Sequence, residues 1–374
     1  MKAERIDPWS SQPLRDYDKL IKDFGIQKFS PLIKKIPNPH MLMRRGVIFG
    51  HRDFERIVEC MKSGKEFAMM TGLMPSGKFH IGHAMLADQI IYYQKQGARI
   101  FLCVADIEAY NMRKKPMEEL RKIAIEEYLI NYIALGLKPK RCDFYFQSDR
   151  SKEWKKSNAF YRLIGMISRR VTLAEMKAIY GELSPGKIVS VLTQVSDILH
   201  PQLPEFGGPR PVLVPIGADQ DPHLRLTRDI AARFKGSEEF NFILPSSTYH
   251  EFMPGLKGGK MSSSDPYSYI ALTDSPETVR EKIMKHAFSG GRGSIKEHRE
   301  KGGIPEIDVA YNMLYMMFEP DDKKIKQIHD EYKSGKMLTG ELKEIAIEKI
   351  TAFLLRHQEK REKARNLVGE FLHI

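Results

Sequence analysis

Thr71-Gly72-Leu73-Met74-Pro75-Ser76-Gly77-Lys78-Phe79-His80-Ile81-Gly82-His83 follows the apolar run Phe67 to Met70 and leads into a segment, about Ile81 to Gln96, with apolar residues at helical spacing. A strand that breaks into a helix through a Pro-Ser-Gly-Lys turn is the first half of a βαβ unit. Outward from it the alternation continues. Ile100 to Val104 and Asp143 to Gln147 read as strands around a helix from Met117 to Leu135. Val212 to Ile216 and Phe242 to Leu244 read as further strands around a helix from Leu224 to Phe234. Strands separated by helices of this length join in parallel through right-handed crossovers. The prediction is an α/β fold: a Rossmann-like doubly wound parallel sheet over residues 66–275, carrying the chemistry.

The flanks read differently. Residues 1–65 look like an N-terminal extension: a helical segment from Asp16 to Phe24, Pro31, Pro37 and Pro39 as punctuation, and a short strand in Arg44 to Phe49. Beyond about Ser275 strand signals stop. Glu277 to His286, Ala310 to Phe318, Lys323 to Tyr332 and Gly340 to His357 are predicted helices, with Leu342, Ile345, Ala346, Ile350 and Phe353 forming one apolar stripe. Residues 276–374 are therefore expected to be an all-helical domain. Ser289 to Ser294, Ser-Gly-Gly-Arg-Gly-Ser, reads as a flexible basic linker, and Tyr311 to Phe318 as apolar core or interface.

The chain has 374 residues, 42% of them hydrophobic, enough for two or three packed units. Its net charge of +12 suits a polyanionic partner, although a basic surface that is merely solvated explains charge alone equally well. The three cysteines, Cys60, Cys103 and Cys142, have no paired spacing, which argues against a disulfide framework or a zinc site and for a reducing cytoplasm. No signal peptide and no run of eighteen apolar residues is visible, so no membrane role is expected.

Gly72 to Lys78 also fits the phosphate-loop spacing, but Phe79 stands where that loop needs a hydroxyl for magnesium. His80 and His83 share a helix face yet have no third metal ligand at suitable spacing, so no metal site is expected. The remaining reading is an anion site: a helix N-terminus with free N–H groups and a positive dipole end, both imidazoles turned toward phosphates, and Gly82 letting a nucleoside lie on backbone. A capping or core role is the alternative for each histidine. Far along the chain, Lys260-Met261-Ser262-Ser263-Ser264 follows Gly258-Gly259, placing an ammonium on a glycine-rich loop. A solvated loop is the ordinary reading of such a segment alone; paired with the first motif it becomes a second arm for one polyphosphate.

Together the two segments resemble the paired signatures of class I aminoacyl-tRNA synthetases, with Ser263 where the usual signature has a second lysine. Asp7-Pro8-Trp9, Arg44-Arg45-Gly46, Asp219-Gln220-Asp221-Pro222, Thr227-Arg228-Asp229, His286 to Gly291 and Leu338-Thr339-Gly340-Glu341 resemble markers of the archaeal and eukaryotic tryptophanyl group across nearly the whole chain. The resemblance implies that His80, His83 and Lys260 are catalytic and that Thr71, Gly72, Gly82, Ser262 and Ser263 help hold ATP. It further implies that Glu108, Gln194 and Gln220 bind the amino and carboxylate ends of the amino acid. Met70 and Cys103 depart from it, standing where a tyrosine and a glutamine would meet the indole. Asp197, one helical turn from Gln194, resembles the indole-binding aspartate of bacterial relatives. A carboxylate can also accept a phenolic O–H, which keeps tyrosine as the rival substrate; a helix-capping acid is the alternative for Asp197.

The implied reaction is attack of the amino acid's carboxylate on the α-phosphorus of ATP, aided by Mg2+, followed by transfer to a ribose hydroxyl, the 2′ one by resemblance, at the 3′ end of tRNA(Trp). Positioning and charge stabilisation then carry catalysis. Lys323, Lys324, Lys326, Lys333 and Lys336 are the candidate anticodon surface, and Arg356, Lys360, Arg361, Lys363 and Arg365 a further basic run. The resemblance also implies a homodimer. Competing readings are a small nucleotidylyltransferase, disfavoured by the helical C-terminal third, and a tRNA-binding paralogue without activity.

Overall fold

The computed structural model describes residues 21–22, 24–113, 115–237, 240–262 and 265–372. The Asp7-Pro8-Trp9 marker, most of the expected helix Asp16 to Phe24, and Ser263 lie outside the described residues.

Among the described residues seven strands form one sheet. They are β1 (Gln27–Lys28), β2 (Ile48–Arg52), β3 (Ala68–Leu73), β4 (Arg99–Val104), β5 (Cys142–Phe146), β6 (Val212–Gly217) and β7 (Ser246–His250), in the order β1-β2-β7-β6-β3-β4-β5. The run β7-β6-β3-β4-β5 is parallel throughout, and β2 and β1 continue it antiparallel at one edge. The chain lays down β3, β4 and β5 outward, then returns past β3 to place β6 and β7 on its other side. This reversal opens a crevice at the C-terminal ends of β3 and β6, because the connections leaving these strands part in opposite directions. The expected doubly wound parallel sheet is present, with two antiparallel edge strands added.

Each face of the sheet is the floor of one apolar core. Met69, Ile100, Leu102 and Val104 face one side with Phe54, Tyr93 and Tyr132; Met70, Phe101, Cys103 and Tyr145 face the other with Phe160, Leu199 and Phe206. Alternate residues of a strand reach opposite faces, so the apolar runs read as continuous.

Four expectations shift. Phe242 to Leu244 is not a strand: Phe242 packs edge-on against Phe234 at 5.1 Å, and the strand follows as Ser246–His250. All five residues of β7 are buried between β2 and β6, so burial comes from neighbours rather than from apolar side chains that a sequence pattern would reveal. Met41–Arg44 is a single helical turn and β2 begins only at Ile48. Arg45, between them, turns inward to donate to the carbonyls of Tyr315 and Glu319. Residues 27–52 thereby continue the sheet and share its core through Phe29, Met43 and Val47. Ser289 to Ser294 is no linker. Gly290 N–H donates to the buried Asp308 carboxylate at 2.8 Å, its carbonyl accepts from Ile304, and Arg292 holds the Gly302 carbonyl.

The C-terminal third is helical: Pro276–His286, Ile295–Lys301, Val309–Met313, Asp322–Lys333 and Thr339–Ala364 among others. Tyr311, Met313, Leu314, Met316 and Phe318 are buried core. The last long helix lies along Met117–Leu135: His357 Nε2 meets Asn131 Oδ1 at 2.7 Å in a buried contact, Arg361 donates to the Glu126 carbonyl, and Arg365 pairs with the Glu126 carboxylate at 2.7 Å. Part of the second basic run therefore holds the helix in place. Lys326 and Lys333 pair with Asp330 and Glu306 at the surface, where such pairs contribute little. No helix among the described residues is long and apolar enough to cross a membrane.

Candidate active site

A cavity of about 440 Å³ fills the crevice between β3 and β6. Met70, Thr71, Gly72, His83, Cys103, Glu108, Gln194, Asp197 and Gln220 all line it. Residues scattered over 150 positions of sequence meet because strand ends and the helices that follow them converge at the switch point. His80, Gly82, Lys260 and Ser262 do not line the cavity themselves.

His80 caps the helix Ile81–Lys95, its ring stacked on that of His83 with centroids 3.7 Å apart. The His80 N–H donates to His83 Nδ1 at 3.2 Å, so capping and site membership coexist in His83. Burial pushes the His83 imidazole down to about 4 and His80 well below its usual value, with His83 as the second cause for His80. Both rings are neutral at neutral pH. With Nδ1 accepting, neutral His83 carries its proton on Nε2 and offers an N–H donor rather than a positive charge. His80 Nδ1 is enclosed without a hydrogen-bond partner. Phe79 is buried against Tyr128 and Tyr132.

Across the crevice stands the ammonium of Lys260. Its Nζ sits 3.1 Å from Asp219 Oδ2 and 4.9 Å from the Phe252 ring centre, and both partners line the cavity. Met261 reaches over to the helix: a Cβ on Gly82 would lie 3.2 Å from its sulfur and 3.2 Å from the His80 ring. The open backbone expected at Gly82 is thus covered by the loop itself, and Ser262 faces solvent with its N–H donating to Ser268 Oγ.

At the bottom lies Asp197, 1% exposed, accepting from Tyr145 O–H at 2.8 Å and Gln147 Nε2 at 2.7 Å. The Cys103 thiol also donates to it. Burial raises the Asp197 carboxyl to about 7, opposed by the bonds from Gln147, Tyr145 and Cys103 and by the nearby Arg150 charge. Arg150 lies 3.8 Å over the Tyr145 ring and is held by Asp143 and His200. Asp197 is consequently no surface cap. Met70 supplies apolar wall, and Cys103, small and thiol-bearing, feeds the carboxylate.

Sequence reasoning passed over Gln147, Tyr145, Asp219, His223, His250 and Phe252. Gln147 ends a predicted parallel strand, a position where site residues gather, and Asp219 adjoins Gln220; those were usable signals. Nothing local marks His223 or His250, neutral imidazoles that burial lowers to about 3 and about 4. Asp221, part of the same marker as Gln220, instead pairs with Arg52 and Arg225 at 3.1 and 3.0 Å. Among the described residues no group of three or more His, Cys, Asp or Glu is disposed to hold a metal.

Residues 61–355 match the family model described as tRNA synthetases class I (W and Y). A tryptophan–tRNA ligase of Aeropyrum pernix is 51% identical over 376 residues, covering 100% of this chain and 99% of that protein. The crystal structure of the Aeropyrum pernix tryptophanyl-tRNA synthetase superposes with a TM-score of 0.89, at 50% identity and covering 98% of each chain. That of the Plasmodium falciparum tryptophanyl-tRNA synthetase superposes with 0.84, at 32% identity over 96% of this chain and 97% of the other.

Proposed function

Since the chain belongs to the class I tRNA synthetases (W and Y), we propose that it ligates L-tryptophan to tRNA(Trp) through a tryptophanyl adenylate made from ATP. The observation that carries this reading is the crevice with the His80–His83 corner on one wall, the Asp219–Lys260 pair on the other and buried Asp197 at the bottom. An indole has one N–H donor and no acceptor, so an acceptor carboxylate set among apolar residues is its complement. Glu108, Gln194 and Gln220 face the same cavity and would bind the amino and carboxylate ends.

In the first step a tryptophan carboxylate oxygen forms a bond to the α-phosphorus, the α–β bridging bond breaks, and pyrophosphate carries the electron pair away. The nucleophile is already ionised and needs no base. Neutral His83 and His80 donate N–H groups to phosphate oxygens, while Lys260 leaves Asp219 to meet charge growing on the triphosphate. Thr71, Gly72, Gly82 and Ser262 would lie along the nucleotide once Met261 withdraws. Magnesium would arrive on the triphosphate and screen its charge. In the second step a ribose hydroxyl of the tRNA 3′ end attacks the adenylate carbonyl and releases AMP. The C-terminal helices with Lys323, Lys324 and Lys336 are the surface we assign to the tRNA. Tyr110, Met112 and Val189, exposed on adjoining helices, are suited to a second copy of the chain in a homodimer. We assign the protein, with its tRNA, to the cytoplasm.

ATP–pyrophosphate exchange with each amino acid in turn tests the proposal. Exchange driven by tryptophan is expected; exchange driven best by tyrosine, or by none, overturns it.

A further inference from the structure

The Asp197 carboxylate offers about four lone-pair positions, and Tyr145, Gln147 and Cys103 occupy three of them. Roughly one remains for an incoming N–H. Of the three donors Gln147 differs in reach. Its amide nitrogen holds Asp197 Oδ2, while its Oε1 accepts from the Glu108 N–H at 3.4 Å, and the side chain itself lines the cavity at 1% exposure. Its backbone is fixed on both sides: the N–H donates to the Val104 carbonyl at 3.1 Å, and its carbonyl accepts from Tyr161 O–H at 2.9 Å. One rigid amide therefore spans from the indole end of the cavity to the start of the helix that carries the amino-group ligand Glu108.

We propose that Gln147 is a specificity-determining positioning residue: it fixes the free lone pair of Asp197 at one distance from Glu108, so that the cavity measures the separation between a ring N–H and an α-amino group. The inference rests on the reading of Asp197 as indole acceptor. Tyrosine presents its O–H at the end of a longer axis, and a carboxylate free to rotate would follow it. With Gln147 in place the carboxylate stays turned toward the indole position.

The test uses the full chain and measures KM and kcat for pyrophosphate exchange with L-tryptophan and L-tyrosine. Gln147→Leu should raise KM for tryptophan roughly tenfold, the loss expected for one hydrogen bond to a charged group, and narrow the tryptophan-to-tyrosine preference with kcat less affected. Gln147→Glu is isosteric and adds a readout that a packing role would not move. At about pH 6 the introduced carboxyl shares a proton with Asp197 and donates as the amide did, so KM should stay near wild type. Above about pH 8 both carboxyls ionise and repel, and KM should climb. Tyr145 and Arg150 on one side, Cys103 on another and His200 behind them also face this carboxylate, with Asp106 acting on Cys103, so each variant is compared with wild type at the same pH. A leucine variant within about twofold of wild type in both KM and preference overturns the inference, as does a flat pH profile for the glutamate variant. If the leucine variant does not fold, the glutamate profile decides. Asp197→Asn separates the layers: if it raises KM while the Gln147 variants do not, the inference alone fails. If it leaves KM unchanged, the indole reading fails and the inference with it.

Discussion

Asp197→Asn should impair tryptophan use without weakening the fold, two effects that a damaged core cannot produce together. The substitution keeps the volume and replaces one acceptor oxygen with a donor NH2. Tyr145 O–H can rotate from donor to acceptor toward it, so the buried cluster has a way to adjust. What is lost is a charged acceptor for the indole N–H, worth about 1.5–3 kcal/mol, or roughly 10- to 150-fold in KM. Stability moves the other way. Burial holds the folded carboxyl at about 7, against an ordinary value of 3.8 for an exposed aspartate. Between those values the folded chain keeps a proton that the unfolded chain has released, so wild-type stability falls as pH rises through this window and stays reduced above it. At about 1.4 kcal/mol per unit the cost is on the order of 4 kcal/mol at pH 8, part of which asparagine removes. Thermal melting should find the variant equal to wild type near pH 4 and at least as stable at pH 8. Exchange kinetics should find wild-type KM for tryptophan rising as pH falls through 7, and a flat profile for the variant. A KM within twofold of wild type, or a melting point many degrees lower at pH 8, would refute the reasoning.

Lys260→Ala should slow pyrophosphate exchange at least about 100-fold while equilibrium tryptophan binding changes less than twofold; equal losses in both would remove its role in meeting transition-state charge. With burial lowering His83 to about 4 and His80 well below its usual value, neither ring titrates between pH 6 and 9. The kcat profile over that range should therefore lack a histidine limb, and one near 6.5 that vanishes in His83→Gln would contradict the neutral donor. Gly290→Ala should lower the melting temperature by several degrees, because its Cβ would lie 2.1 Å from the Ile304 carbonyl oxygen. An unchanged melting point would return Ser289 to Ser294 to linker status.

Local chemistry in the sequence determined the βαβ alternation and the turn from β3 into Ile81–Lys95, and it singled out the residues proposed to handle phosphate. These are encoded in runs, periodicities and punctuation of neighbouring residues. The resemblance to known synthetases supplied the candidate roles, and nine of those residues do line one cavity. Tertiary structure alone decided the rest. Ser246–His250 is a central strand only because β2 and β6 enclose it, and Ser289 to Ser294 is rigid only because Asp308 receives Gly290. The neutrality of His80 and His83, the resting partner of Lys260 and the raised carboxyl of Asp197 arise from burial and from groups tens to hundreds of residues away. Solvation and long-range contacts set those properties, and a chain read residue by residue contains neither until it has folded.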